Sequence, residues 1–277
     1  MLTKVIKLMI NVIPEDAAYA LTCFLAALPQ KTHLKNQDKE ILSQAKRIEF
    51  GPNNSKTAWS WGEGPLVILV HGWGSCGAHM GVLATMLASK GFQSVAIDIT
   101  GHGDSTGRRI NFRDFYQDIG TLVRFLDQDV YACVGHSAGG LCMMAARELE
   151  NLSAKKYVCI SAPQKPYPPI NLIRKKLGVS DAVIKRYKNF LADQFNCRWG
   201  DITRRVYSSD SESQLLLIYD KSDRFVDHMD GDEIKAYWPS ATLVKTWGIK
   251  HSQQIRSPVI QEKVVEFLVD GEALGKV

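Results

Sequence analysis

The chain has no run of about 20 apolar residues, the length that a membrane-spanning helix needs. It also has no Cys-x-x-Cys pair, arginine-rich run, zinc-finger spacing, HExxH motif or dinucleotide-type GxGxxG motif. These absences argue against an integral membrane protein, a nucleic-acid-binding protein, a metalloenzyme and a nucleotide-dependent enzyme. We therefore expect no integral membrane segment, no nucleic-acid partner, no metal and no cofactor.

The composition is that of an ordinary globular protein. Of the 277 residues, 45% are apolar and 23% are charged, values close to the average for soluble domains. This length favours one domain with an insertion. The six cysteines mostly lie in apolar runs, where buried free thiols behave as small hydrophobic groups, so we expect a reducing, cytoplasmic location.

The net charge of +5 is unevenly distributed along the chain. Residues 164–212 hold ten Lys and Arg but only five Asp and Glu, so this segment carries the whole excess. A local positive excess attracts anions, although an ordinary solvated surface explains the same pattern more simply.

The N-terminal region is predicted to be a helical extension, residues 1–44. Two short amphipathic helices, 3–13 and 15–28, are separated by Pro14, and a polar helical stretch follows at 31–44. We expect these helices to pack on the surface of the domain; shallow membrane association is the alternative.

Apolar runs and helix-like segments alternate through the rest of the chain. Continuous apolar runs are typical of strands buried on both faces, and their alternation with helices predicts a mostly parallel central sheet flanked by helices, an α/β fold. The expected strands are Ala45–Phe50, Thr57–Trp61, Leu66–Val70, Ser94–Ile99, Val130–Val134, Tyr157–Ser161, Leu215–Tyr219 and Thr242–Thr246.

Residues 164–212 interrupt this alternation and are predicted to form a helical lid insertion into a core made of 45–163 and 213–277. Prolines lead into helical stretches near 170–178 and 181–194, and such insertions often cover active sites. Apolar residues at helical spacing can line an acyl pocket, although sealing the lid onto the core explains the spacing equally well. They are Ile170, Leu172, Ile173, Leu177, Val179, Val183, Ile184, Phe190, Leu191 and Phe195.

A candidate nucleophile follows the strand Val130–Val134. Gly135-His136-Ser137-Ala138-Gly139 is a G-x-S-x-G motif between a strand and a helix, the setting of a nucleophile elbow. The sharp turn needs glycines where a Cβ would strike neighbouring backbone. The helix start offers backbone N–H groups to a developing oxyanion.

A serine hydroxyl needs a base, and in this motif the chain order is Ser, then Asp or Glu, then His. His251 is the downstream histidine that follows a predicted strand, so it is the candidate base. Three acids compete to orient it. We favour Asp223, a short loop beyond its strand, over Asp220 at the strand end, and expect Asp227 to cap a helix.

The loop His71-Gly72-Trp73-Gly74 follows the strand Leu66–Val70 and predicts an oxyanion hole. Its donors would be the backbone amides of Trp73 and Ala138. His102 precedes Ser137 in the chain, the wrong order for the base, and is interpreted as structural or as part of the site entrance.

Together these motifs resemble the α/β-hydrolase superfamily, and in particular a bacterial serine carboxylesterase or lipase-like branch with an N-terminal helical extension. The resemblance spans residues 66–268 and includes the pattern D-x-x-G-H-G-x-S at 98–105. It implies a catalytic triad of Ser137, Asp223 and His251. Two departures are Lys250, where the family often has glycine, and Asp220, where glycine is also frequent.

The function predicted from these residues is hydrolysis of a small-molecule carboxylic ester through an acyl-enzyme intermediate. Hydrolysis of thioester, amide or C–C bonds would use the same residues. A non-catalytic ligand-binding protein on the same scaffold is the alternative of another class, and turnover of a p-nitrophenyl ester would discriminate between them.

Overall fold

The expected mostly parallel sheet flanked by helices is confirmed by a computed structural model that describes residues 10, 12–28, 32–210 and 212–270. The strands are β1 Lys46–Phe50, β2 Lys56–Trp61, β3 Leu66–Val70, β4 Gln93–Asp98, β5 Val130–His136, β6 Ala154–Ile160, β7 Gln214–Asp220 and β8 Thr242–Thr246. They form one sheet in the order β1-β2-β4-β3-β5-β6-β7-β8. Strand β2 runs antiparallel to its neighbours β1 and β4, and the other pairs are parallel.

Helices cover both faces of the sheet. The α-helices are α1 Glu15–Ala26, α2 Asn36–Ser43, α3 Gly77–Ala88, α4 Phe112–Leu126, α5 Ala138–Leu149, α6 Pro168–Leu177, α7 Asp181–Asp193, α8 Ile202–Tyr207, α9 Asp230–Tyr237 and α10 Pro258–Val269. Short 3₁₀-helices occupy Pro52–Asn54, Trp199–Asp201 and His251–Arg256.

Strand β3 shows why continuous apolar runs form the centre of the sheet. Leu66, Ile68 and Val70 belong to the core on one face, and Val67 and Leu69 belong to the core on the other. Side chains alternate between faces along a strand, so a strand covered on both sides must be apolar at every position.

The parallel strands bring four loops to one edge of the sheet. Their carboxyl ends are followed by the 71–74 loop after β3, Ser137 after β5, Asp223 after β7 and His251 after β8. In open α/β sheets this edge is where ligands bind.

The N-terminal helix α1 packs mainly on α7 in the segment between β6 and β7. Arg186 of α7 forms an ion pair with Asp16, and its guanidinium lies 4.3 Å from the ring centre of Tyr19. Most of the predicted helix 3–13 lies outside the described residues. The division into extension, core and lid stays a prediction.

Most element boundaries differ from those expected by one or two residues, and two differ by three or more. Strand β6 begins at Ala154 rather than Tyr157, because Lys155 and Lys156 lie within the strand and interrupt its apolar run. Helix α2 is shorter than the stretch 31–44 and begins at Asn36. Among the described helices, none has both the length and the apolarity that crossing a membrane requires.

The start of α5 lies unusually close to strand β3. A Cβ on Gly139 would come within 2.4 Å of the carbonyl oxygens of Val70 and His71, and one on Gly135 would come within 2.5 Å of the Cα of Gly140. Real Cβ atoms do not approach backbone so closely, so both positions require glycine.

We expect Gly139→Ala to lower the free energy of unfolding by about 1–3 kcal/mol, because the added methyl group forces α5 away from β3. The matched control is Gly200→Ala, where nothing lies within 4 Å of the added Cβ. That variant is expected to stay within about 0.5 kcal/mol of the parent. Urea unfolding measures both; equal stability of the two variants would contradict the packing argument.

Candidate active site

Ser137 lies at the turn between β5 and α5 in a backbone conformation that L-residues rarely adopt. Its φ is 53° and its ψ is −124°. The turn is fixed on both sides, since the Ser137 amide donates to the Ile160 carbonyl over 2.9 Å and the Ser137 carbonyl accepts from the Gly140 amide over 3.0 Å. Strained backbone of this kind persists where the surrounding structure enforces it, and it is concentrated at functional sites.

The structure brings the three predicted residues Ser137, His251 and Asp223 into one hydrogen-bonded chain. His251 Nδ1 lies 2.6 Å from Asp223 Oδ2, and His251 Nε2 lies 2.9 Å from Ser137 Oγ. An ionised carboxylate can only accept, so Nδ1 carries the proton. In the neutral imidazole Nε2 is then the acceptor, and the serine hydroxyl donates to it.

Asp223 is held as a carboxylate by several donors. Its Oδ1 accepts from the amides of Phe225 at 2.8 Å and Val226 at 3.2 Å, and its side chain is fully buried. Burial alone raises the pKa of Asp223. The hydrogen bond and charge of His251, with the two amides, lower it more, so the net pKa lies below the ordinary value.

Asp220, the competing acid, is occupied by the loops themselves. Its Oδ1 accepts from the amide and hydroxyl of Ser222, and its Oδ2 accepts from the Thr246 hydroxyl at 2.8 Å and the Ile249 amide at 3.1 Å. Burial raises the pKa of Asp220, but these hydrogen bonds lower it below the ordinary value. Asp220 therefore ties the loop after β7 to the loop after β8.

Asp227 caps the turn before α9. Its Oδ1 accepts from the Met229 amide at 2.9 Å, and its carbonyl accepts from the Asp230 amide, where the helix begins. The expectation that Asp227 caps the helix itself is wrong, because α9 begins at Asp230, its N-cap is Met229, and it has no side-chain cap.

The two predicted oxyanion donors lie on facing segments. A Cβ on Gly72 would lie 3.1 Å from the Cβ of Ser137, so the loop carrying Trp73 approaches the serine closely. Among the described groups, the backbone amides of Trp73 and Ala138 have no hydrogen-bond acceptor. Ala138 is the first residue of α5, where helix amides lack intrahelical partners.

Two buried histidines hold the 71–74 loop in place. His71 Nε2 accepts from the Ile99 amide at 3.2 Å, and His102 Nε2 accepts from the Gly74 amide at 3.0 Å. Burial lowers the pKa of both imidazoles, which keeps them neutral and able to accept. His102 is therefore structural, one of the two roles expected for it.

His136 lies beside the base. Its Nε2 donates to the His251 carbonyl at 3.1 Å, and the two ring centres are 4.8 Å apart. Burial, with a smaller contribution from the charge of His251, lowers the pKa of His136 to about 3. The ring therefore supports the backbone of His251 without placing a second positive charge next to it.

The sequence did not indicate Gln254, which is fully buried in the 3₁₀-helix that begins at His251. Its Nε2 donates to Asp223 Oδ2 at 3.0 Å, and its Oε1 accepts from the Ser161 hydroxyl at 2.7 Å. The same carboxylate oxygen thus receives hydrogen bonds from both His251 and Gln254. No motif marks Gln254, and only its spacing of three residues from His251 could have suggested the contact.

A cavity of about 750 Å³ opens in front of Ser137 and His251. Its apolar wall includes Trp73, Ile249 and Ile255. Among the described residues, no group of three or more His, Cys, Asp and Glu side chains is arranged to hold a metal ion.

Charged residues also line this cavity. Lys35, Arg256 and Asp38 lie there with His33 and His79. Asp38 is the one acid on the walls that the structure describes, and it is buried in an ion pair with Arg256. The walls therefore carry a positive excess.

Of the two interpretations of these helices, the structure favours sealing onto the core, because no described residue of 164–212 lies on the walls of this cavity. The apolar residues named for that role are instead buried in the core, apart from the half-exposed Leu172 and Phe190. Phe190 and Leu191 line a separate cavity of about 140 Å³, which shares Trp73 with the first. These helices use their apolar faces to pack on the core and on α1.

Comparison with known proteins places this chain among hydrolases. The Hydrolase_4 family model, described as serine aminopeptidase S33, matches residues 64–234. That range contains the 71–74 loop, Ser137 and Asp223, and it ends before His251.

Two curated relatives match shorter stretches of the chain than the family model does. The chain is 28% identical over 155 residues to non-heme chloroperoxidase CPO-A1 of Kitasatospora aureofaciens, which covers 54% of each chain. It is 34% identical over 99 residues to putative methylesterase 15, chloroplastic, of Arabidopsis thaliana, covering 34% of this chain and 22% of that protein. The chain thus spans about half or less of the length of these relatives.

Solved structures support the fold. The Pyrococcus furiosus esterase Pf2001 superposes with a TM-score of 0.63 at 19% identity, covering 87% of this chain and 98% of that one. An identity this low shows a shared fold alone, and the shared architecture is that of the α/β-hydrolases.

We expect Gln254→Leu to lower kcat by about tenfold with little change in KM, because Asp223 loses one of its positioning donors and small displacements of catalytic groups are costly. The control Ser161→Ala removes only the hydroxyl behind Gln254 and should cost less. Steady-state kinetics on a chromogenic ester separates kcat from KM. A rise in KM alone, or equal losses in both variants, would contradict this positioning role.

Proposed function

The chain belongs to the Hydrolase_4 family of serine aminopeptidase S33 proteins, and we propose that it is a serine hydrolase that cleaves carboxylic esters. The observation that carries the proposal is the hydrogen-bonded chain from Ser137 Oγ through His251 to Asp223 at a strained strand–helix turn. This arrangement supplies a nucleophile, a base and a group that orients the base.

In the first step Ser137 Oγ attacks the carbonyl carbon of the ester. His251 Nε2 takes the hydroxyl proton as the Oγ–C bond forms, and Asp223 stabilises the resulting imidazolium through Nδ1. The tetrahedral intermediate collapses when the bond to the alcohol oxygen breaks. His251 gives its proton to that leaving oxygen, and an acyl-enzyme remains on Ser137.

The second step returns the enzyme to its starting state. A water molecule gives a proton to His251 Nε2 and attacks the acyl carbon. The bond to Ser137 Oγ then breaks, Oγ recovers the proton, and the carboxylic acid is released.

The backbone amides of Trp73 and Ala138 are proposed as the oxyanion hole. Both lie beside Ser137, and neither is satisfied by a described protein group. Fixed donors of this kind stabilise the negative charge that develops on the carbonyl oxygen, and one donor is commonly worth about 10²–10³ in rate.

The charge of the cavity favours esters over the aminopeptidase substrates that the family description implies. An aminopeptidase must bind a free ammonium group, whereas the described cavity walls carry a positive excess and their one acid is already paired with Arg256. Placing an ammonium group there would be repulsive. Thioesters, other amides and C–C bonds remain compatible with the same nucleophile.

We expect Asp223→Asn to reduce kcat by as much as about 10⁴-fold, the loss caused by the equivalent change in serine proteases, because asparagine favours the wrong imidazole tautomer. Asp220→Asn should reduce kcat by less than about tenfold while lowering stability, because it breaks the tie between the two loops rather than the contact with His251. Turnover of p-nitrophenyl butyrate and urea unfolding measure the two effects.

Ser137→Ala serves as the reference, with turnover expected at the background rate. Equal activity of Ser137→Ala and the parent would refute the proposed hydrolase. A large kcat loss at Asp220 with little loss at Asp223 would reverse the assignment of the acid.

A further inference from the structure

The Ser137 cavity is also lined by a group of charged side chains that ester hydrolysis itself does not use. We call Lys35, His79 and Arg256, with their partner Asp38, the cationic subsite. Lys35 and Asp38 come from the start of α2, His79 from α3, and Arg256 from the end of the 3₁₀-helix that begins at His251. The N-terminal region therefore completes a wall of the cavity.

Asp38 anchors the subsite, and each of its carboxylate oxygens accepts a hydrogen bond from the protein. Its side chain is 1% exposed, and its Oδ2 accepts from the Lys35 amide at 2.9 Å. Its Oδ1 accepts from one terminal nitrogen of Arg256. Because the guanidinium has five N–H donors, Arg256 is fixed in position by one while others stay available to a ligand.

Lys35 adds a second positive charge without a paired acid among the described residues. Lys35 is exposed and lines the cavity. His79 is bonded through Nδ1 to the Ser75 hydroxyl at 2.9 Å. Burial and the charge of Arg256 lower the pKa of His79, so it is uncharged near neutral pH. With Asp38 cancelling Arg256, the subsite has a net charge of about +1.

The 3₁₀-helix sets the separation between this subsite and the reacting atoms. His251 and Arg256 are its first and last residues, and a rise of about 2 Å per residue places their backbones roughly 10 Å apart. A ligand whose reacting carbonyl meets Ser137 can therefore extend along this helix and reach Arg256 within the same cavity.

We propose that the preferred substrates are esters that carry a carboxylate at the end remote from the ester bond, bound by Arg256 and Lys35. The inference rests on the proposed function, because it assigns the second half of that substrate. A guanidinium matches a carboxylate with two parallel hydrogen bonds. A net charge near +1 suits a singly charged carboxylate better than a phosphate dianion.

The test compares matched chromogenic esters: the 4-nitrophenyl half esters of C4 to C8 dicarboxylic acids, and the 4-nitrophenyl methyl diesters of the same acids. We expect kcat/KM to favour the half ester by about tenfold at the best chain length, and the preference to shrink as salt screens the charges. An equal or higher kcat/KM for the uncharged diesters at every length would overturn the inference.

Charge reversal at Lys35 tests whether this residue causes the preference for the half ester. Lys35→Glu should remove most of the preference for the half ester, about five- to tenfold, while turnover of the methyl diester stays within about twofold. Lys90→Glu makes the same change in net charge at an exposed site away from the cavity and should leave the preference intact. Equal losses on both substrates with Lys35→Glu would overturn the inference.

A binding measurement separates this inference from the proposed function. The Ser137→Ala variant, which should not turn the ester over, is titrated calorimetrically with the best half ester and with its methyl diester. Tighter binding of the half ester supports the subsite even if no ester is hydrolysed, and equal binding overturns it. Stronger inhibition by inorganic phosphate than by butyrate would overturn the choice of a carboxylate.

Discussion

The close approach of helix α5 to strand β3 is the constraint on which the candidate site depends. Glycines at 135 and 139 let the backbone turn sharply and bring the helix start against the carbonyls of Val70 and His71. At this turn Ser137 has a φ of 53°, and its hydroxyl lies 2.9 Å from His251 Nε2. The first amide of α5 has no acceptor among the described groups, as the proposed oxyanion hole requires.

Asp220 and Asp223 are three positions apart in the sequence, but they accept hydrogen bonds from different donors. Asp220 accepts hydrogen bonds from both loops that follow β7 and β8, and these leave its oxygens fully used. Asp223 keeps one oxygen for His251 and Gln254. Asp220 thus fixes the distance between the two loops, and this distance allows Asp223 and His251 to meet.

The N-terminal region contributes to the cavity as well as to packing. Helix α1 lies against α7, and the start of α2 supplies Lys35 and Asp38 to the cavity wall. Arg256 joins this wall to the 3₁₀-helix that begins at His251. The positive charge of Arg256 and the candidate base His251 are therefore positioned by the same 3₁₀-helix.

The sequence alone predicted the parts of this arrangement that have strong local signals. The apolar runs of β3 and β8 gave their bounds, and the order of Ser137, Asp223 and His251 named the side chains that the structure brings together. The orientation of the lid helices was not predictable, because core-facing and cavity-facing helices have the same spacing of apolar residues. Gln254 and the cationic subsite arise from tertiary contacts that no local pattern encodes.

The most direct test of Ser137 as the nucleophile is reaction with a fluorophosphonate probe, followed by peptide mass spectrometry. We expect one adduct, on Ser137, that forms far more slowly in the Asp223→Asn variant; an adduct on another serine, or none, would contradict Ser137 as the nucleophile.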